Sequence, residues 1–224
     1  SHEVAPDSSL NPTVLRNWKR LLAQDIVPAL QVVDKRFQNF RGLSARHDAE
    51  STPSAVANNL DQEIKYSTIT QPPHSLVMHP GPTENVGLGW RAPSDVTVTI
   101  SAHLEDADAN CGNGIAWSLI RKYEGVADIL VAGEFENGGN SDSGLDTPMF
   151  LRKGEQILLN ILPKGEYSCD TTQVMLSITA DTGQDWDMAK EVLPQFENNG
   201  PWPDGVGNPD VWWLHRSNSE SFLD

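Results

Sequence analysis

From about residue 63 the apolar residues of this 224-residue chain recur with a period of two, in short runs broken by Gly, Asn, Asp and Pro. Val96-Thr97-Val98-Thr99-Ile100 is the cleanest case, the alternation of a strand with one dry and one wet face. Further strands are predicted at Ile64 to Ile69, Ser75 to His79, Val86 to Arg91, Ile115 to Lys122 and Ile129 to Phe135. Others follow at Thr147 to Leu151, Gln156 to Pro163 and Gln173 to Ala180, and Val211 to Leu214 reads as a closing strand. Short strands at this spacing specify an all-β antiparallel, jelly-roll-like sandwich. A short C-terminal helix capped by Asp185 and carrying Trp186 is expected before the Pro/Gly/Asn-rich loop from Asn198 to Pro209.

The first part of the chain has a different pattern. Asn11 as N-cap and Pro12 at the first helical position precede apolar Val14, Leu15, Trp18, Leu21 and Leu22, one stripe of an N-terminal helix. After Pro28, Leu30, Val33, Phe37 and Phe40 predict a second helix over 29–40, ended by Arg41-Gly42-Leu43. Residues 44–62 are small, polar and without a period, and read as a linker or strap. The expected organisation is therefore a helical lead-in and linker, 1–62, and a sandwich domain, 63–224. No signal peptide opens the chain, and Ser1-His2 reads as the remnant of a cleaved tag.

Charge narrows the partners. With 16 basic and 31 acidic residues the formal charge is −15, which argues against a nucleic-acid ligand. No apolar run approaches the ~18 residues of a membrane span, so no membrane insertion is expected. Cys111 and Cys169 sit in polar turns, the setting of a bridge between two loops; the alternative is two unrelated thiols. A disulfide would imply an extracytoplasmic location. It would also gather Asp106, Asp108 and Asp170, oxygen ligands suited to Ca²⁺, although a solvated turn in which Asp bonds its own backbone gives the same sequence.

The usual catalytic motifs are absent: no Gly-x-Ser-x-Gly, no His-Glu-x-x-His, no phosphate-cradling Gly-rich loop, and no haem-attachment Cys-x-x-Cys-His. Among 31 acidic residues a glycosidase-like carboxylate pair can always be assembled in space, so hydrolysis is not excluded, but nothing specific supports it. The seven tryptophans are more informative. Trp90 and Trp117 share parity with apolar neighbours and belong to the core. Trp202 lies between two prolines on a loop, and adjacent Trp212 and Trp213 must face opposite sides of a strand. Trp202 and one of Trp212 or Trp213 are thus candidate stacking platforms for sugar rings, with Asn208, Asp210 and Arg216 as hydroxyl partners. The alternative is that Trp202 plugs the end of the sandwich.

Several strings resemble a known family: Val77-Met78-His79-Pro80-Gly81-Pro82, Val86-Gly87-Leu88-Gly89-Trp90-Arg91-Ala92-Pro93, Cys111-Gly112-Asn113-Gly114-Ile115-Ala116-Trp117-Ser118-Leu119, Tyr167-Ser168-Cys169-Asp170-Thr171-Thr172 and Gly207-Asn208-Pro209-Asp210-Val211-Trp212. Together they look like the β-sandwich segment of the large secreted planctomycete-type cytochrome c multidomain proteins. Leu10-Asn11-Pro12-Thr13-Val14-Leu15-Arg16-Asn17-Trp18 resembles the helix leading into it; residues 44–62 are unmatched. The resemblance implies a non-catalytic module, similar to carbohydrate-binding modules, in a parent that captures or degrades polysaccharide such as xylan. Haem would be carried by other domains of that parent. The rival expectation is a spacer or docking domain without glycan affinity.

Overall fold

The computed structural model describes residues 27–124 and 126–218. Two antiparallel sheets face each other. The first has six strands in the order β1 (Val27–Pro28), β17 (Trp212–Asn218), β8 (Glu84–Arg91), β14 (Gln156–Pro163), β10 (Ile115–Tyr123) and β11 (Val126–Phe135). The second runs β12 (Asn140–Asp142), β9 (Val96–Asp106), β15 (Thr172–Ala180), β7 (Ser75–His79), β4 (Ser54–Asn58), β3 (Leu43–His47) and β2 (Val32–Asp34). On it, β13 (Leu145–Leu151) also pairs with β9 and β16 (Asp185–Asp187) with β15, while β5 (Ile64–Tyr66) and β6 (Ile69–Gln71) form a separate hairpin.

Alternation places the core between the sheets. Val98, Ile100, Ala102 and Leu104 of β9 and Val174, Leu176 and Ile178 of β15 pack with Val86, Leu88, Trp90 and Trp117 of the facing sheet. Trp90 and Trp117 are core residues, as their parity predicts. The outer face of the six-stranded sheet is also covered at its centre. Gly87 and Gly89 of β8 leave room there for His215 and Trp213 of the neighbouring strand. A methyl group on either glycine would lie 2.3 Å from the ring opposite, so these two positions need glycine for close approach rather than for backbone freedom.

The segment 29–40 is not a helix. Leu30 adopts φ +59° and is buried, Val32–Asp34 forms β2, and Phe37–Asn39 is a 3₁₀ turn with Gln38 at φ +54°. A short helix interrupted by β-branched residues has little stability of its own, whereas pairing β2 with β3 supplies a ladder. Residues 44–62 are not a free strap either. They contribute β3 and β4, paired to each other and to β7, with Ala45, Ala55 and Ala57 buried. Their small side chains mark tight packing within the nine-stranded sheet, so the boundary drawn at residue 62 cuts through paired structure. Asp185–Asp187 is strand. The short helix α1 is Met188–Glu191, and its cap is Asp187, whose Oδ1 accepts from the Ala189 N–H at 2.9 Å. The predicted helix beginning at Asn11 lies outside the described residues.

Candidate functional site

The three indoles proposed as platforms are internal. Trp202 is 2% exposed, Trp212 0% and Trp213 3%. Trp202 exchanges backbone hydrogen bonds with Trp212 (2.7 and 3.0 Å), which draws the proline loop onto the sandwich as a short extra rung. Its ring stacks on Phe196 at 6.1 Å beneath the Arg46 guanidinium, and its N–H donates to the Asn198 carbonyl at 3.0 Å. Trp212 donates its indole N–H to Glu191 Oε2 at 2.7 Å, and Arg91 lies 5.1 Å from the Trp213 ring. An indole with both faces packed offers no surface to a pyranose, so the platform assignment is corrected for all three.

Their expected partners serve the fold as well. Arg216 is paired with Asp48 at 2.7 Å and with Glu84. Asp210 is exposed, has φ +56°, and gives its carbonyl to Arg91. Asn208 donates to Asp204 Oδ2 at 2.8 Å. Asp204 organises this loop, accepting also from the Trp186 indole and the Val206 and Asn208 amides. Burial pushes the Asp204 carboxyl up, but those hydrogen bonds outweigh it and hold the group below the usual carboxylate range. These hydrogen bonds tie the loop down.

The Cys111–Cys169 disulfide is present and joins the loop after β9 to the loop before β15. Asp106 spends both oxygens on backbone amides, Asp108 at 2.8 Å and Gly138 at 2.6 Å. Asp108 is buried and accepts from Asn110. Asp170 is 2% exposed, and neither of its carboxylate oxygens has a hydrogen-bond partner. Burial, then the charges of Glu166 and Asp106, push its carboxyl up to about 7. Among the described residues no three His, Cys, Asp or Glu side chains gather as a metal-holding group, so the expected Asp106–Asp108–Asp170 set is not assembled.

Beside this loop the outer face of the nine-stranded sheet carries a hollow of about 140 Å³. It is lined by the ring-bearing Phe37, Tyr66 and His79, by apolar Val56, Ile69 and Val77, and by Thr52, Ser54 and Thr171. Phe37 meets Tyr66 edge to face at 5.5 Å, and Tyr167 stands edge-on to His79 at 6.0 Å. The Tyr66 hydroxyl donates to Gln71 Oε1 at 2.9 Å; burial first, and Asp108 second, raise its pKa above the ordinary phenol value. Burial lowers the His79 pKa, which favours the neutral ring; Nδ1–H then donates to the Pro80 carbonyl at 2.7 Å and leaves Nε2 as an acceptor.

The hollow continues onto a polar face. Val77 pairs with Gln173 and Gln173 with Glu105, and directly paired residues point to the same side of a sheet. Met175, Ser177 and Thr179 therefore share this face with His103, Ser101 and Thr99. His103 Nδ1 lies 2.6 Å from Asp142.

Comparison with protein-family models and with curated proteins finds no match. Phe37 and Tyr66 carried no sequence signal of a site, because their approach depends on the 3₁₀ turn and the hairpin together. His79 lay inside a quoted motif, where its neighbour Pro80 supplies the carbonyl that orients it.

Proposed function

We propose that this chain is a non-catalytic, jelly-roll-like carbohydrate-binding module of a larger extracytoplasmic protein, and that it meets its polysaccharide through the outer hollow rather than through tryptophan. The observation that carries this reading is the combination of Phe37, Tyr66 and His79 with hydroxyl-bearing Thr52, Ser54 and Thr171 in one concave site. Tyr66 is itself buried, so the partly exposed Phe37 and His79 rings are the faces suited to the C–H side of a sugar, and hydroxyls and a ring nitrogen suit its O–H groups. The disulfide is compatible with an oxidising compartment, and no described helix is long and apolar enough to cross a membrane. A hollow of about 140 Å³ has room for one ring or part of one, so affinity is set by a few contacts and falls near ~10⁻⁴ M or weaker. Repetition along a polymer compensates by avidity.

Affinity electrophoresis against xylan, mannan, glucan and sulfated polymers tests the reading. Retardation by at least one polymer is expected, lost in Phe37→Ala with the melting temperature little changed. A second reading, a spacer between haem and neighbouring domains of the parent, is favoured by the internal use of all three loop and edge indoles. No retardation of folded protein by any polymer supports the spacer. Release of reducing ends over time would support a hydrolase instead.

A further inference from the structure

The disulfide loop holds a second feature that is independent of the glycan reading. Buried polar atoms without partners are uncommon, and here they share one chemistry. Both Asp170 carboxylate oxygens are buried and unpartnered, and so is Asn113 Oδ1. All three are acceptors with no proton to offer in their usual forms. Gly112, the residue before Asn113, packs against the Asp170 loop: it has φ +90°, and a Cβ there would lie 2.4 Å from the Ser168 carbonyl oxygen and 3.4 Å from Asp170 Oδ1. The Cys111–Cys169 bond holds the two loops in this contact. Glu166 and Asp106 add negative potential at Asp170, which Lys164, also paired with Glu136 at 2.7 Å, offsets in part.

We propose that this loop is a Ca²⁺ site built on the Asp170 carboxylate and Asn113 Oδ1, with the Ser168 carbonyl as a further oxygen. The ligand set differs from three gathered aspartates. Asp106 is committed to two backbone amides and acts through its charge, and Asp108 takes no part. Hard oxygen donors that include a carboxylate suit Ca²⁺, which accepts irregular coordination, better than Mg²⁺, which demands a smaller octahedral cage. One coordinating charge places the affinity at roughly 10⁻⁴–10⁻³ M, the range of extracellular modules. The neighbouring residue Thr171 lines the outer hollow, so the ion would fix one edge of that site.

The test uses the full chain, freed of metal with EDTA and dialysed, in 0.15 M NaCl at pH 7.5, with CaCl₂ or MgCl₂ as probe. Calorimetric titration should show saturable Ca²⁺ binding, and a tenfold excess over Kd should raise the melting temperature by about 4 °C. Asp170→Asn should abolish both signals, Asn113→Ala should weaken binding about tenfold, and Asp108→Asn should leave it unchanged. Absence of heat and of a thermal shift at 10 mM Ca²⁺ would overturn the site, leaving a proton or water as the partner of Asp170. An equal shift with Mg²⁺, a response retained in Asp170→Asn, or one lost in Asp108→Asn would overturn it too.

Discussion

Arg46→Met removes a buried cation from the junction between the beginning and the end of the described chain. Arg46 is 1% exposed, and among the described residues no carboxylate pairs with it. Its guanidinium donates to three carbonyls: Phe196 at 2.6 Å, Leu30 at 3.2 Å, and Asn198. It also lies 5.4 Å from the Phe196 ring and 5.1 Å from the Trp202 ring. Burial lowers its pKa, a sign that desolvation opposes the charge. Against that cost stand three hydrogen bonds from a charged donor, about 1.5–3 kcal/mol each, and two ring contacts of about 1 kcal/mol each. Met keeps the apolar stem as far as the Nε position but strands three carbonyls, so the expected loss is about 3–5 kcal/mol. For a chain of this size that is a fall of roughly 10 °C in melting temperature. Urea unfolding followed by tryptophan fluorescence measures it, and the native emission should shift to the red as Trp202 loses its cover. A loss below about 1 kcal/mol would refute the reasoning, because the desolvation cost of the guanidinium would then cancel what it holds.

Three further outcomes follow from the same structure. Trp202→Ala should cost about 3–5 kcal/mol in denaturant unfolding, as the emptying of a packed interior site does; an unchanged midpoint would return the indole to the surface. His215 is buried without partners on either ring nitrogen, and burial, with a smaller contribution from Lys122, lowers its pKa to about 3. Below pH ~6.5 the unfolded chain takes up a proton that the folded one refuses, so the His215 contribution to stability falls along the acid limb, by about 3 kcal/mol at pH 4.5, against the opposite contribution of Asp170, which the folded chain protonates first. His215→Leu should flatten that limb of the pH–stability curve, and parallel curves for the two proteins would contradict the assignment. Reducing the Cys111–Cys169 bond, which spans a sequence separation of 58, should cost about 4 kcal/mol in the chain-entropy model; thermal unfolding with and without reductant gives the value.

Much of the sandwich was legible because its signal is local. Ser75–His79 and Gln156–Pro163 are strands with the bounds that alternation predicts, and β9 and β15 show the expected dry and wet faces. The disulfide was legible from its two polar turns. Segments whose structure depends on distant partners were not. Ala29–Phe40 has apolar residues at helical spacing, but Leu30 enters the core and β2 takes its ladder from β3. β3 and β4 are poor in large apolar residues because small ones pack there, so composition alone suggested a strap. Alternation does send Trp212 and Trp213 to opposite faces, as adjacency requires. It could not reveal that Gly89 opens a seat for Trp213 on the second face. The outer hollow was illegible for the same reason, since Phe37, Tyr66 and His79 come from three separate elements. Asp170 was named as a candidate oxygen ligand from its place beside Cys169, but that both its oxygens are buried without a partner needed the fold.

Backbone and side-chain NMR during titration with xylan and mannan oligosaccharides tests most directly whether the outer hollow is the glycan contact. Progressive shifts at the His79 ring, Tyr66, Phe37 and Thr171 are predicted, with the indole N–H signals of Trp202 and Trp212 unmoved. Shifts centred on those indoles, or none anywhere at millimolar oligosaccharide, would contradict it.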